Sequence, residues 1–241
     1  MTEYDPAGNP IPESYLLVDF DGTLVDSLSA LYDIYIDFLH KHGKKGNKEE
    51  FELLKGLSIP ELVKTVKNKY ALIESEEILQ QEYNKLLKEK YLNNVHVSPH
   101  ALNALEFAKD FGFKTAIVTS APQDLVKEIL QKHHLSDLID ELIISTPKEK
   151  GKPHPDIYLK ALKQLKIEPL DAIAIEDSLN GAQASLSAKI PTMLLNPSHE
   201  TLDKLENHPN KADLLAINDW EDVIAFIEEL TEISDDDLSE S

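Results

Sequence analysis

Cysteine is absent from the 241 residues, and arginine is absent as well: all 24 basic residues are lysine. The first absence excludes disulfides, thiolate metal sites and a cysteine nucleophile. The second removes the planar bidentate guanidinium fork. Any phosphate or carboxylate must then be bound by lysine, backbone N–H groups, hydroxyls or a metal. No apolar run approaches the roughly 20 residues of a membrane-crossing helix. The opening MTEYDPAGNPIPES lacks the basic-then-apolar pattern of a signal peptide, so a cytoplasmic location is the default expectation. Positive charge is scarce too. The formal net charge of -20 makes nucleic acid and anionic membranes poor partners. Part of the excess lies in the closing EELTEISDDDLSES, which reads as a frayed acidic end.

Apolar content is sufficient, at 41%, to build a core, and the length suits one large domain or a domain carrying an insertion. Short, continuous apolar runs predict buried strands at Tyr15–Phe20, Lys114–Thr119, Leu142–Ser145, Ala172–Glu176 and Thr192–Asn196. Helical patterns such as Gln123–His133 and Asp156–Leu165 lie between them. This alternation predicts an α/β fold with a doubly wound, Rossmann-like parallel sheet. From Leu28 to Val97 the rhythm breaks into some 70 residues of helical periodicity, where Ser58 and Glu61 form a capping box. The expected organisation is a core of 1–27 and 98–241 with an inserted all-helical cap at 28–97.

Chemistry collects at the strand ends. The first strand closes in Asp19-Phe20-Asp21-Gly22-Thr23. Alternation puts Asp19 and Asp21 on one side, at the carboxyl edge where open α/β sheets bind ligands. Two carboxylates this close suit a metal, or a nucleophile beside an acid/base; Asp-Gly is also an ordinary turn dipeptide. The second strand ends in Thr119-Ser120, where a hydroxyl opening a helix either meets a phosphate or caps the helix. Past the third strand, prolines flank His154 in KPHPD and stiffen a loop that aims Lys152 at an anion. The fourth strand ends in Glu176-Asp177. Acids closing an apolar strand are costly unless paired or metal-bound, and oxygen ligands in this number suit magnesium. Helix capping would explain Asp177 but not Glu176. The histidine pairs, His40 with His42 and His133 with His134, read as surface or helix-end residues. Tyr32, Tyr35 and Phe38 have the spacing of a buried helix face, with a substrate-facing tyrosine left open.

Taken in order, DFDGT, Thr119, Lys152 in KPHPD and Ile175–Asp177 resemble the four motifs of the haloacid dehalogenase superfamily, over Tyr15 to about Asn196. The fuller wording is similar to the branch of beta-phosphoglucomutases, sugar phosphatases and phosphoglycolate phosphatases, whose type-one cap falls where the helical insert does. The resemblance implies that Asp19 attacks phosphorus and Asp21 protonates the leaving oxygen, then activates water. Thr119, Ser120 and Lys152 would hold the phosphoryl group. Mg2+ would sit on Asp19, the Asp21 backbone carbonyl, Glu176 and Asp177. A small phosphorylated metabolite is the expected partner. Asp21 argues against the members that dehalogenate or cleave phosphonates. The mutases carry a histidine where this chain has Leu31 and a cap-loop arginine absent from KGLSIPE, so phosphatase is favoured over mutase. Without arginine, only a lysine such as Lys55 or Lys64 is available in the cap for a substrate carboxylate. A sugar- or polyol-phosphate is therefore expected ahead of phosphoglycolate.

Overall fold

The computed structural model describes residues 13–146 and 148–239. The reading of residues 1–12 as lacking a signal peptide, and the last two residues of the acidic end, lie outside that range. Strand β1 (Tyr15–Val18) is followed by β2 (Val25–Asp26) and four helices: α1 (Leu28–Lys41), α2 (Lys48–Leu54), α3 (Ile59–Tyr70) and α4 (Glu76–Asn94). The chain re-enters the core through β3 (His96–Val97) and continues as α5 (Ala101–Asp110), β4 (Lys114–Thr119), α6 (Gln123–Lys132) and β5 (Glu141–Ile144). Then come α7 (Asp156–Leu165), β6 (Ala172–Glu176), α8 (Leu179–Ser187) and β7 (Thr192–Leu195). The last elements are α9 (His199–Leu205), β8 (Leu214–Ile217) and α10 (Trp220–Ser239).

Six strands form a parallel sheet in the order β5-β4-β1-β6-β7-β8. Period-two alternation loads both of its faces. Leu16, Val18, Ile117 and Ile175 join one cluster with residues of α5, α6 and α10. Tyr15, Leu17, Ala116 and Ala174 join another with Ile157, Tyr158 and Ala161 of α7 and Ala184 of α8. Each Leu, Ile or Val buried in this way contributes about 1.5–3 kcal/mol. The expected doubly wound sheet is present. Because β4 and β6 flank β1 on opposite sides, the chain reverses its direction of winding at β1, the position where such sheets bind ligands.

Helices α1–α4 pack on one another and form the cap, with β2 and β3 pairing antiparallel at its base. Local signals set the helix starts. Asn47 accepts from the Glu50 N–H (2.8 Å), and Ser58 with Glu61 completes the expected capping box. Tyr35 and Phe38 are buried inside the cap, with Phe38 edge-on to Tyr83 at 5.3 Å. His42 ends α1 and His133 ends α6, as expected of helix-end residues.

Three features differ from the sequence reading. Strand β1 ends at Val18 rather than Phe20, because Gly22 (φ 85°) turns the chain and its N–H bonds the Val25 carbonyl at 2.9 Å. Strand β8 has no counterpart among the strands the sequence predicts: Leu214–Ile217 is short, lies at a sheet edge and leaves Leu215 exposed, so no buried run marks it. The acidic end does not fray at its start; α10 continues to Ser239. Its anchor is Trp220, buried against the core, whose indole donates to the Thr23 carbonyl at 3.1 Å.

Candidate active site

Adjacent strands β1, β4 and β6 deliver Asp19, Thr119 and Glu176 to one edge of the sheet. The Asp19 N–H is held by the Ile175 carbonyl at 3.0 Å, which fixes the backbone of one strand end against the next. Asp19 and Asp21 both line a cavity between core and cap, together with Thr119 and Ser120. It holds about 730 Å³ of space not filled by protein atoms, including its open mouth.

Beneath this floor Lys152 is fully buried, its Nζ 2.6 Å from Asp19 Oδ1 and 2.6 Å from Glu176 Oε1. Burial alone would lower the pKa of the ammonium, but Asp19 and Glu176 more than offset that and raise it. Lys152 was expected to face an anion. Here it pairs with the two carboxylates from below and does not line the cavity. Glu176 also accepts from the Tyr158 hydroxyl (2.5 Å), yet burial still pushes its pKa up to about 8. Room for it exists because residue 181 is glycine: a Cβ there would stand 1.9 Å from Glu176 Oε2.

Asp19, Glu176 and Asp177 each offer a carboxylate oxygen, and these oxygens lie within 4.8 Å of one another. Asp177 Oδ2 is buried without a hydrogen bond among the described residues. Lys55 Nζ lies 3.0 Å from it, close enough for ion pairing but outside donor alignment. Burial is the main reason that the pKa values of Asp21, Glu176 and Asp177 are all raised. Four carboxylates face only two ammonium groups, Lys55 and Lys152. A divalent cation would supply the missing charge, and an all-oxygen donor set fits magnesium. Gly22 is required here twice over. Its φ is positive, and a Cβ would meet Asp177 Oδ2 at 2.5 Å.

Asp21 stands apart from that cluster. Its Oδ1 accepts from Ser27 (2.7 Å) and from the Tyr91 hydroxyl, which α4 brings down from the cap. Burial pushes its pKa up to about 6, while the two hydroxyls pull the other way.

The capping alternatives for two expected residues do not hold. Ser178, not Asp177, caps α8, by accepting from the Gly181 N–H at 3.0 Å. Ser120 does not cap α6. Its hydroxyl donates across to the Gly56 carbonyl of the cap loop at 3.3 Å. That loop is clamped elsewhere as well. Asn180 donates to the Lys55 carbonyl (2.7 Å), and the Gly151 N–H donates to Glu61 Oε1 (2.9 Å). The cap is therefore closed over the cavity. Of the two cap lysines available to a substrate carboxylate, Lys55 lines the cavity and Lys64 is exposed outside it. The tyrosines that reach the cavity are Tyr83 and Tyr91, not Tyr32 or Tyr35.

A parallel sheet with four acids at its central strand ends, a buried lysine beneath them and a helical cap above belongs to a defined class of hydrolase. The chain is a member of the haloacid dehalogenase-like hydrolase family, whose model matches residues 16–195. It is similar to a phosphorylated carbohydrates phosphatase of Thermotoga maritima, at 28% identity over 179 residues covering 73% of this chain and 81% of that protein. A phosphoglycolate phosphatase of Psychrobacter arcticus is also 28% identical, covering 75% of this chain and 82% of that protein. Among solved structures, a predicted phosphatase from Clostridium acetobutylicum shares the fold, with TM-score 0.75 and 23% identity over 91% of this chain and all of that one. Among the described residues no helix is long and apolar enough to cross a membrane.

Proposed function

We propose that the protein is a magnesium-dependent phosphatase that hydrolyses a small phosphorylated metabolite through a phospho-aspartate on Asp19. The observation that carries this reading is the gathering of Asp19, Asp21, Glu176, Asp177 and Lys152 at one sheet edge beneath a closed cap. A carboxylate oxygen of Asp19 forms a bond to phosphorus while the ester P–O bond breaks, and Asp21 gives its proton to the departing oxygen. Asp21, now ionised, takes a proton from water as that water's oxygen attacks phosphorus. Phosphate leaves and Asp19 is regenerated. Asp19, Glu176, Asp177 and the Asp21 backbone carbonyl would hold Mg2+, which neutralises charge on the phosphoryl oxygens when bound. Thr119 and Ser120 line the phosphoryl side of the cavity, and Lys152 reduces the repulsion between Asp19 and an anionic substrate.

Residues 28–97 act as the cap and 1–27 with 98–241 as the core. Substrate entry then requires release of the contacts from Asn180, Ser120 and Gly151 to the cap. Mutase activity is disfavoured because Leu31 and Ile59 line the cavity where the resembling mutases carry a histidine and an arginine. Sugar- and polyol-phosphates rank ahead of phosphoglycolate, since Lys55 is already engaged by Asp177 and Glu52. The test is release of inorganic phosphate from an aryl phosphate with and without magnesium. Release that ignores chelation would contradict the reading.

A further inference from the structure

Resting on the phosphatase reading but going past its ranking of sugar-phosphates over phosphoglycolate, we infer that a third class ranks above both: the phosphate ester of an alcohol with an apolar body, such as an alkyl, cycloalkyl or aryl group. The inference comes from how the cavity is divided. The reacting groups all belong to the core floor. The walls that would enclose the leaving group come from the cap: Leu31 of α1, Phe51 and Leu54 of α2, Leu57, Ile59 of α3 and Leu87 of α4. These six come from four helices and the loop between α2 and α3 yet converge on one space, so the apolar lining is a property of the chamber and not of one amphipathic helix.

Polar side chains of the cap are few there, and most are committed. Lys55 is held by Asp177 (3.0 Å) and Glu52 (3.2 Å), and Tyr91 donates to Asp21. On the core side, Ser120 is spent on the Gly56 carbonyl. Among the described residues, Tyr83 is the one cavity-lining cap side chain whose polar atom makes no hydrogen bond. A polyol entering this chamber would bring several hydroxyls to a wall that offers one side-chain partner. Each unmatched hydroxyl loses its water without replacement, whereas an apolar body loses water from surface that gains by leaving it.

The test compares two esters with matched leaving groups: cyclohexylmethyl phosphate and glucose 6-phosphate. Both are primary alkyl phosphates on a six-membered ring, so they differ chiefly in hydroxyls. With magnesium and the full chain, kcat/KM for phosphate release should favour the cyclohexylmethyl ester by about tenfold or more, the scale of one buried unpaired hydroxyl. Ile59→Asn and Leu87→Asn, checked for folding by thermal melts, should each narrow that ratio. Equal values, or a preference for glucose 6-phosphate, overturn the inference while leaving the phosphatase reading intact. A ratio unchanged in both folded variants removes it from these walls. No release from either ester, nor from an aryl phosphate, overturns the phosphatase reading and the inference together.

Discussion

Tyr91 is the cap residue on which the protonation of Asp21 depends most directly. Its hydroxyl and that of Ser27 both donate to Asp21 Oδ1 and so favour the carboxylate, against burial, which raises the pKa to about 6. Tyr91→Phe keeps the buried ring and deletes one donor. A hydrogen bond to a charged group is worth about 1.5–3 kcal/mol, and the lower figure applies because Ser27 still donates. About 1.5 kcal/mol corresponds to roughly a tenfold change in the protonation equilibrium, which moves Asp21 from about 6 to about 7. The acid form then persists to higher pH. For a poor leaving group, the limb of kcat/KM that falls with rising pH should move upward by about one pH unit. At pH 7 the ionised fraction that serves hydrolysis of the phosphoenzyme drops from about nine-tenths to about half. The assay is kcat/KM against pH for both proteins, with single-turnover dephosphorylation at pH 7. Bound magnesium sets the absolute positions, so the difference between the two profiles is the quantity read. A limb that stays in place, or moves downward, refutes the coupling of Tyr91 to Asp21.

Other perturbations have equally definite outcomes. The raised pKa values of Glu176 (about 8) and Asp21 (about 6) mean that the cation-free fold has their contribution in full below about pH 4 and loses it progressively from there, through 6 for Asp21 and on to 8 for Glu176. Melting temperature in a chelator should therefore fall across that window and recover on adding magnesium; a flat profile would count against the buried cluster. Gly181→Ala should displace Glu176 and lower magnesium affinity roughly ten- to a hundredfold by titration, an effect on the scale of lost ligand support. Gly151→Ala would put a Cβ 1.9 Å from Glu61 Oε2, so the closed cap should be disfavoured and KM should rise. Unchanged steady-state kinetics would show that this clamp is not part of closure.

The sheet and its strand-end acids were legible because both leave local marks. Buried parallel strands read as apolar runs, and an acid that ends such a run, as Glu176 does, has no cheap structural explanation. The resemblance to the family adds their order and the roles proposed for them. Less visible were residues whose meaning depends on a distant partner. Tyr91 lies 70 positions from Asp21 in a helix rich in lysine and glutamate, and nothing local separates it from a packing tyrosine. Tyr158 sits on the buried face of α7 and reads as core until Glu176 is placed beside it. In the sequence Lys55 and Lys64 are equally available to a substrate carboxylate, and only the packing of the cap on the core puts Lys55 beside Asp177. Strand β8 escaped because pairing with β7, not its own sequence pattern, defines it.

The covalent step on Asp19 is the central claim, and one measurement addresses it directly. Asp21→Asn cannot activate water, so with an aryl phosphate, whose leaving group needs no protonation, the phosphoenzyme should accumulate. After acid quench and proteolysis, mass spectrometry should find one phosphoryl group, on Asp19 in the peptide carrying DFNGT. A phosphoryl group on any other residue would contradict the account. So would a burst of phenol release with no protein-bound phosphate.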